Sequence, residues 1–345
     1  MSEKSRVRFG VTVGRGTALG VVEQARLAAS SGFDSIWMMD HLNGFPIEKG
    51  AIEPFTTLGA ITRDCRNVLL GCAATDPFRR HPAILAQSLG TLAALTQGPV
   101  ALVMGAGEAM NLESFGFVAQ KPLARIRESF AIIRQLLESS ANATVQYSGE
   151  FFRIDSAFLQ FSEALSPALL YIASNGPAGI KAAGQYADGW MSLLLTPELV
   201  TNEYAELARG AAAAHRDATE IDIAHHIDIA LAANSGEAID LVRDSASKLL
   251  LGFPAQSSRI GFQAINDFDW RHLLVSQARQ NELTSAMASV PQDVIRKASI
   301  VGTEDDCIRQ LDAYVEAGVT HFIFRCANPL DEIGAFIRRS LRPRY

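Results

Sequence analysis

The chain has 345 residues, of which 48% are hydrophobic and 20% are charged, and its formal net charge is −6. This balance is typical of a globular enzyme; it excludes a disordered chain and disfavours a nucleic-acid partner. The four cysteines lie at irregular separations without a Cys-x-x-Cys pair, which predicts reduced thiols in a cytoplasmic protein. We expect neither a secretory signal nor a membrane span, because no apolar segment has the length and flanks that either requires.

Short apolar runs alternate with longer helical patterns along nearly the whole chain. This alternation is typical of βα units around a parallel sheet, whose buried strands are apolar on both faces. Eight runs have the composition of such strands: Val7–Val13, Ser35–Met39, Asn67–Thr75, Val100–Gly105, Leu169–Ser174, Gly189–Leu194, Ile221–Ala230 and Thr320–Arg325. Apolar residues at three- and four-residue spacing predict helices between them, including Leu19–Ser31, Ala83–Thr96, Leu123–Ser139, Ala178–Tyr186, Glu198–Ala213 and Glu304–Ala317.

Eight strands joined by helices predict closure into a single (β/α)8 TIM barrel domain that covers residues 1–345. Glycine follows a predicted helix at Gly32 and again at Gly318, in each case just before a predicted strand, as expected of αβ turns. An open doubly wound sheet is the alternative fold. It is less favoured because the glycines between Gly14 and Gly20 are one residue out of the spacing that binds dinucleotides.

Two segments depart from the βα rhythm. Val145–Asp155 has Ser-Gly-Glu between two β-prone runs, which predicts a hairpin outside the barrel. Residues 252–296 are interrupted by Pro254 and polar residues, and we predict that they form an insertion over the barrel mouth. The insertion and the loop that contains Phe45 are expected to shape the pocket for a small-molecule substrate.

The candidate catalytic residues follow the second and fourth predicted strands. His41 comes after Asp40 at the end of the second strand, and Glu108 follows the fourth through Gly105-Ala106-Gly107. Catalytic groups of a barrel lie at the C-terminal ends of its strands, and small residues there let a planar ligand approach the backbone. A histidine and a carboxylate supply an acid and a base near neutral pH. The alternative is that His41 is a loop histidine without a catalytic role.

The segment Gly71–Pro82 after the third strand is the most distinctive stretch of the chain. Its small residues at the strand end leave room for a flat ring. Arg79 and Arg80 are candidates for pairing with an anionic ligand tail, because guanidinium groups match carboxylate and phosphate geometry. The alternative is that both arginines belong to a solvated loop.

The segment Ala173–Pro177 after the fifth strand leads directly into a predicted helix. The glycine and the free amides of a helix N-terminus make a phosphate site there possible, with Ser174 or Asn175 as the capping residue. An ordinary capped βα loop is the alternative. Adjacent residues of a strand point to opposite faces, so His225 and His226 are not expected to share a metal ion, and we predict no metal site.

Taken in chain order, these segments resemble the luciferase-like monooxygenase superfamily, and within it the branch that depends on coenzyme F420. The resemblance covers almost the whole chain and is greater to methylenetetrahydromethanopterin reductases and phthiodiolone ketoreductases than to bacterial luciferase. The motifs that carry it are Asp34–His41, Leu70–Ala83, Gly105–Asn111, Ala173–Pro177 and Ala187–Trp190.

The resemblance implies a barrel whose deazaflavin lies against a bulge after the third strand, with a non-prolyl cis peptide bond between Ala73 and Ala74. His41 and Glu108 match the acid and base of related dehydrogenases. Phe45 is the nearest equivalent of a Trp that the sugar-phosphate enzymes of this branch carry, which argues against a sugar-phosphate substrate. The implied cofactor-binding residues are Asp40, Ala73, Ala74, Gly107, Asn111, Ser174, Asn175, Gly176 and Pro177.

The activity implied by the resemblance is hydride transfer between F420 and a carbonyl, imine or activated alkene. Homodimers of this superfamily pair near the helix Pro82–Thr96, which carries little charge in this chain, so we expect a homodimer. Two alternatives remain open: an FMN-dependent monooxygenase on the same fold, and a barrel that binds a cofactor without turnover.

Overall fold

The computed structural model describes residues 6–14, 16–44, 51–96, 98–161, 168–263 and 276–345. The strands within these ranges comprise one parallel sheet and one antiparallel hairpin. In chain order they are β1 (Arg8–Val13), β2 (Ser35–Met38), β3 (Leu69–Thr75), β4 (Val100–Met104), β5 (Val145–Ser148), β6 (Arg153–Ala157), β7 (Ala168–Ala173), β8 (Gly189–Leu193), β9 (Asp222–Leu231), β10 (Ser299–Gly302) and β11 (His321–Cys326).

The parallel sheet closes into the predicted eight-stranded barrel. Its circular order is β1, β2, β3, β4, β7, β8, β9 and β11, closed by the pairing of β8 with β9 and of β11 with β1. All eight strands expected from the sequence are present, each end within two residues of its predicted position. The doubly wound alternative is therefore wrong. The short strand β10, which the sequence analysis did not predict, pairs with the second half of β9 beyond the end of β8.

Large aromatic side chains opposite glycines fill the barrel interior. The rings of Trp37 and Tyr171 meet edge to face with their centroids 5.9 Å apart. A Cβ atom at Gly71 would lie 2.2 Å from the Trp37 ring, and one at Gly189 would lie 2.1 Å from the Tyr171 ring. The interior is thus a packed core with no passage through it, which confines ligand binding to the ends of the barrel.

Helices connect the strands in the expected positions. All six helices predicted from the spacing of apolar residues are present. The described helices are α1 (Ala18–Ser31), α2 (Pro54–Ile61), α3 (Pro82–Thr96), α4 (Ala109–Leu112), α5 (Pro122–Leu137), α6 (Pro177–Tyr186), α7 (Pro197–Ala213), α8 (Ser235–Gly252), α9 (Pro254–Arg259), α10 (Gln277–Ala288), α11 (Gln292–Lys297), α12 (Glu304–Glu316) and α13 (Leu330–Phe336). None of the helices in the described ranges is long and apolar enough to cross a membrane.

The two predicted departures from the βα rhythm have different outcomes. The hairpin is confirmed: β5 and β6 pair antiparallel, and the Glu128 carboxylate accepts hydrogen bonds from the backbone amides of Glu150, Phe151 and Phe152 in its turn. Between residues 252 and 296 the described parts are helical and pack with α8 in a second apolar cluster. That these residues form an insertion stays a prediction, and residues 264–275 and Phe45 lie outside the described residues.

Candidate active site

A cavity of about 380 Å³ opens at the C-terminal ends of the barrel strands. Its lining includes both candidate catalytic residues, His41 and Glu108. All of the residues predicted to bind the cofactor also line it, except Pro177, which is the first residue of α6. The structure thus brings together side chains from loops that are far apart in the sequence, as expected of a barrel active site.

The floor of the cavity is a bulge in β3. The pairing of β3 with β4 shifts its register between Cys72 and Thr75, and the peptide bond between Ala73 and Ala74 is cis. A Cβ atom at Gly105 would lie 3.7 Å from the Ala74 Cβ, so a larger side chain there would extend over the bulge. Both features that the resemblance implied are present. The small side chains leave a smooth surface on which a flat ring can lie.

Asp40 is a buried carboxylate beside this bulge. It accepts a hydrogen bond from Thr75 Oγ1 at 2.6 Å and two from the Arg80 guanidinium at 3.1 and 3.2 Å. Arg79 Nη2 lies 3.3 Å from the same carboxylate. Burial raises the pKa of Asp40, but the hydrogen bond from Arg80 and the charge of Arg79 outweigh it and lower the pKa. Asp40 is therefore a fixed negative charge that joins the ends of β2 and β3.

The arginine pair does not belong to a solvated loop, so that interpretation is wrong. Arg79 is almost fully buried and also forms an ion pair with Asp76. Arg80 Nη2 lies 2.9 Å from Glu53 Oε1, and its guanidinium lies over the Phe55 ring. The two arginines are thus held by carboxylates of the protein. Arg79 also lines the cavity, and the pairing of these arginines with an anionic ligand tail stays a prediction.

His41 and Glu108 face each other in the cavity. His41 Nε2 lies 3.5 Å from Glu108 Oε2, and both side chains are partly buried. The Asn111 side chain contacts Glu108 and the loop after His41. Its Nδ2 donates to Glu108 Oε2 at 3.1 Å, and its Oδ1 accepts from the backbone amides of Leu42 at 2.8 Å and Asn43 at 3.1 Å. Because one side chain binds both loops, Asn111 fixes the position of the histidine loop relative to the carboxylate.

The position of Gly107, between β4 and Glu108, does not accommodate a side chain. Its φ of 83° lies in the left-handed region, and an added Cβ would lie 2.5 Å from Leu112 Cδ1. Any substitution there would displace α4, which begins with the residue after Glu108. The glycine that the sequence assigned to cofactor binding therefore also has a packing role.

The turn from Ser174 to Gly176 is fastened to the neighbouring strand. Asn175 Nδ2 donates to the Leu193 carbonyl at 2.6 Å, and Asn175 Oδ1 accepts from the Leu193 amide at 3.1 Å. The N-cap of α6 is Gly176, without a side-chain cap, so the expectation that Ser174 or Asn175 caps the helix is wrong. The φ of Gly176 is −99°, which any residue can adopt, and a Cβ there would meet only Ser174 Oγ at 4.0 Å.

The two adjacent histidines of β9 have different surroundings. His226 lines the cavity, and its Nε2 lies 2.9 Å from Thr12 Oγ1. His225 is buried on the other face of the strand, with Nδ1 2.8 Å from Ser192 Oγ and its ring stacked on Tyr314. Their opposite orientation agrees with the strand geometry used above. Among the residues that the structure describes, no group of three or more His, Cys, Asp or Glu side chains is arranged to hold a metal ion.

The model of the family described as luciferase-like monooxygenase matches residues 5–321 of the chain. The chain belongs to this family. This confirms the resemblance that the sequence motifs indicated.

The chain is also similar to individual proteins over most of its length. The chain is 28% identical to the 5,10-methylenetetrahydromethanopterin reductase of Archaeoglobus fulgidus, over 86% of this chain and 86% of that protein. It is 30% identical to the F420-dependent glucose-6-phosphate dehydrogenase of Mycolicibacterium smegmatis, over 94% of this chain and 93% of that protein. The coenzyme F420-dependent tetrahydromethanopterin reductase from Methanopyrus kandleri has the same fold, with a TM-score of 0.82 at 21% identity, covering 98% of this chain and 99% of that one.

Sequence analysis of this luciferase-like chain missed one wall of the cavity. Arg325 lies near the end of the last barrel strand, so the rule that barrel sites form at strand ends was sufficient to find it. Lys248 lies in α8, a helix that had not been predicted, and no local pattern marks it as part of a site. This wall is lined by Met191, Leu193, Lys248, Leu249, Phe253 and Arg325.

Proposed function

We propose that this protein is an F420-dependent oxidoreductase that transfers a hydride between the deazaflavin and a small organic substrate. The observation that carries the proposal is the juxtaposition of the Ala73–Ala74 bulge with the His41 and Glu108 pair in one cavity. The relatives support it, because the reductase and the dehydrogenase described above belong to the same family and the dehydrogenase is named as F420-dependent.

The residues of the cavity fit a deazaflavin. The bulge and Gly105 offer a surface without side chains beyond Cβ, against which a planar ring can lie. The backbone amides at the N-terminus of α6 suit the phosphate of the cofactor, because a helix N-terminus carries partial positive charge. Ser174, Asn175 and Gly176 would hold the phosphate side, and Ala73, Ala74 and Gly107 the ring side.

The protein's part in the reaction is to hold the substrate and exchange a proton. When bound, the reduced deazaflavin supplies the hydride to an electrophilic carbon of the substrate. The substrate oxygen, nitrogen or, for an activated alkene, second carbon would then gain a proton, and His41 or Glu108, which both line the cavity, would supply it. Asn111 is a positioning residue, because it binds Glu108 and the loop after His41.

Cofactor titration tests this proposal. Purified protein titrated with F420 is expected to quench or shift the deazaflavin fluorescence at micromolar concentration, and reduced F420 should be oxidised when a substrate is present. Tight binding of FMN without binding of F420 would overturn the proposal in favour of the monooxygenase alternative. Binding of F420 without turnover of any carbonyl, imine or alkene would favour the non-catalytic barrel.

We also propose that the protein is a homodimer that pairs through α3. This helix has no charged residue, and Ile84 and Leu95 are half exposed on the face turned away from the barrel. Two-fold symmetry would place the two apolar faces together and remove them from water. Light scattering that shows a monomer at micromolar concentration would refute this. The cytoplasmic location expected from the sequence agrees with the four cysteines, which are all free thiols.

A further inference from the structure

Part of the cavity wall is formed by apolar side chains from the end of β8 and the end of α8. Leu193 is the last residue of β8, Leu249 lies in the last turn of α8, and Phe253 directly follows that helix. All three line the cavity and are partly exposed, and all three pack against the second apolar cluster, to which α8, α10 and α11 contribute. We call these three side chains the apolar patch.

The two cationic side chains of the same wall are nearly buried and have partners in the protein. Arg325 is 9% exposed, and its Nε and Nη2 each donate to the Asp228 carboxylate at 2.9 Å. Lys248 is 7% exposed and also has an interaction partner. The apolar patch, in contrast, keeps exposed apolar surface inside a concave site, which is the kind of surface that small-molecule ligands cover.

Hydrogen bonds fix the backbone around the apolar patch. The Phe253 amide donates to the Leu249 carbonyl at 2.9 Å, and the Phe253 carbonyl accepts from the Ser257 amide at 2.9 Å. Arg259 Nη1 donates to the Asn175 carbonyl at 3.0 Å and thereby fastens α9 to the turn after β7. Because this surface is already in place, a ligand that covers it loses little affinity to the ordering of the protein.

The apolar patch lies across the mouth of the barrel from the groups proposed to carry the chemistry. In the circular order of the eight strands, β8 is opposite β2, and β9 is opposite β3. His41 follows β2, the Ala73–Ala74 bulge lies in β3, and α8 packs against β9. A molecule that spans the mouth therefore meets the proton donors and the bulge on one side and the apolar patch on the other.

We propose that the substrate carries an apolar alkyl or aryl group, and that Leu193, Leu249 and Phe253 bind this group. The inference rests on the proposed function and adds a substrate class to it. Binding removes the apolar surfaces of the substrate and of the patch from water, and the free energy gained is proportional to the area covered. The reducible group of the substrate is then directed towards His41 and Glu108.

The test is the binding of a ketone series to the F420-loaded protein, measured by isothermal titration calorimetry. The series is pentan-2-one, heptan-2-one and nonan-2-one, and each step should raise the affinity about fivefold or more, because full burial of two methylene groups corresponds to about tenfold. The anion 5-oxohexanoate has the length of heptan-2-one but ends in a carboxylate, and it should bind about fivefold or more weakly than that ketone. Equal affinities along the series, or tighter binding of 5-oxohexanoate, would overturn the inference.

Substitutions at Leu249 assign the effect to the apolar patch. Leu249→Asn keeps a side chain of similar size but makes it polar, so it should weaken heptan-2-one binding about fivefold or more, whereas Leu249→Met should keep most of the affinity. Leu241→Asn is the matched control, because it makes the same change in the same helix at an exposed position outside the cavity, and it should leave ketone binding unchanged. Wild-type ketone affinity in Leu249→Asn would show that the patch does not bind the apolar group. Thermal melting shows whether each variant is folded, and the wild-type series decides the inference without any variant.

The cofactor is the competing occupant of the apolar patch. Leu249→Asn should bind F420 with wild-type affinity in a fluorescence titration; a loss of F420 affinity with unchanged ketone affinity would assign the patch to the cofactor and overturn the inference. Failure of the wild-type protein to bind F420 is a separate outcome, since it would refute the proposed function itself. Normal binding of F420 with equal affinities for all three ketones would refute only the substrate class.

Discussion

Replacement of the buried histidine of β9 should make the protein less sensitive to acid. His225 is 1% exposed, and burial, assisted by the charge of Arg325, lowers its pKa to about 3. In the unfolded chain a histidine has a pKa of about 6.5, so between pH 6.5 and pH 3 the unfolded state binds a proton that the folded state does not. The free energy of unfolding therefore falls as pH falls through this window.

The expected magnitude is about 2 kcal/mol between pH 7.5 and pH 5, at about 1.4 kcal/mol for each pH unit below 6.5. His225→Phe should remove this contribution, because phenylalanine keeps a flat ring against Tyr314 and cannot be protonated. Ser192 Oγ, which loses its imidazole partner, still lies 3.3 Å from the Ala224 carbonyl. Other groups that titrate in this range are unchanged by the substitution, so their effects cancel in the comparison.

The assay is urea unfolding followed by circular dichroism at half-unit steps from pH 5 to pH 7.5. The loss of stability across this range should be about 2 kcal/mol smaller in His225→Phe than in the wild type. His215→Asn is the control, because His215 is exposed and has a positive φ of 56°, which asparagine tolerates. Identical pH dependence in the wild type and in His225→Phe would refute the assignment of this titration to His225.

Three further predictions concern the cofactor, the chemistry and the assembly. Glu108→Gln should bind F420 with the affinity of the wild type but oxidise reduced F420 about 100-fold more slowly, in the presence of a substrate that the wild type reduces. Equal losses of F420 affinity and of the oxidation rate would contradict an acid–base role. Gly176→Asp should melt like Gly176→Ala, since a Cβ there has open space, yet lose F420 affinity in a fluorescence titration; wild-type affinity would place the phosphate elsewhere. Ile84→Glu should shift the protein to a monomer in light scattering, whereas Leu241→Glu, at an equally exposed aliphatic residue outside α3, should not.

The barrel could be predicted because buried parallel strands have a distinctive composition. Runs that are apolar on both faces identified all eight barrel strands, and the rule that barrel sites form at strand ends led to His41 and Glu108. The strand β10 was missed because its four residues lie in a segment without a regular pattern. An apolar run of this length cannot be distinguished from an ordinary loop by its composition.

The partners of the charged side chains could not be predicted. Arg80 binds Asp40 and Glu53, which are 40 and 27 residues away in the chain. Asp40 and Arg80 meet because β2 and β3, which precede them, are paired in the sheet, and the sequence alone does not show that these arginines form internal ion pairs. Lys248 was missed because it lies in a helix and no local pattern marks it, whereas the rule that barrel sites form at strand ends was sufficient to find Arg325.

The mode in which Asn111 holds the histidine loop bears on protein engineering. Its side-chain oxygen binds the backbone amides of residues 42 and 43, so the contact does not depend on the side chains at those positions. Leu42 is 43% exposed and can therefore be randomised to alter substrate scope while the loop keeps its anchor. Proline is the exception, since it has no amide hydrogen to donate. A library that omits proline at these two positions should retain a high fraction of correctly assembled active sites.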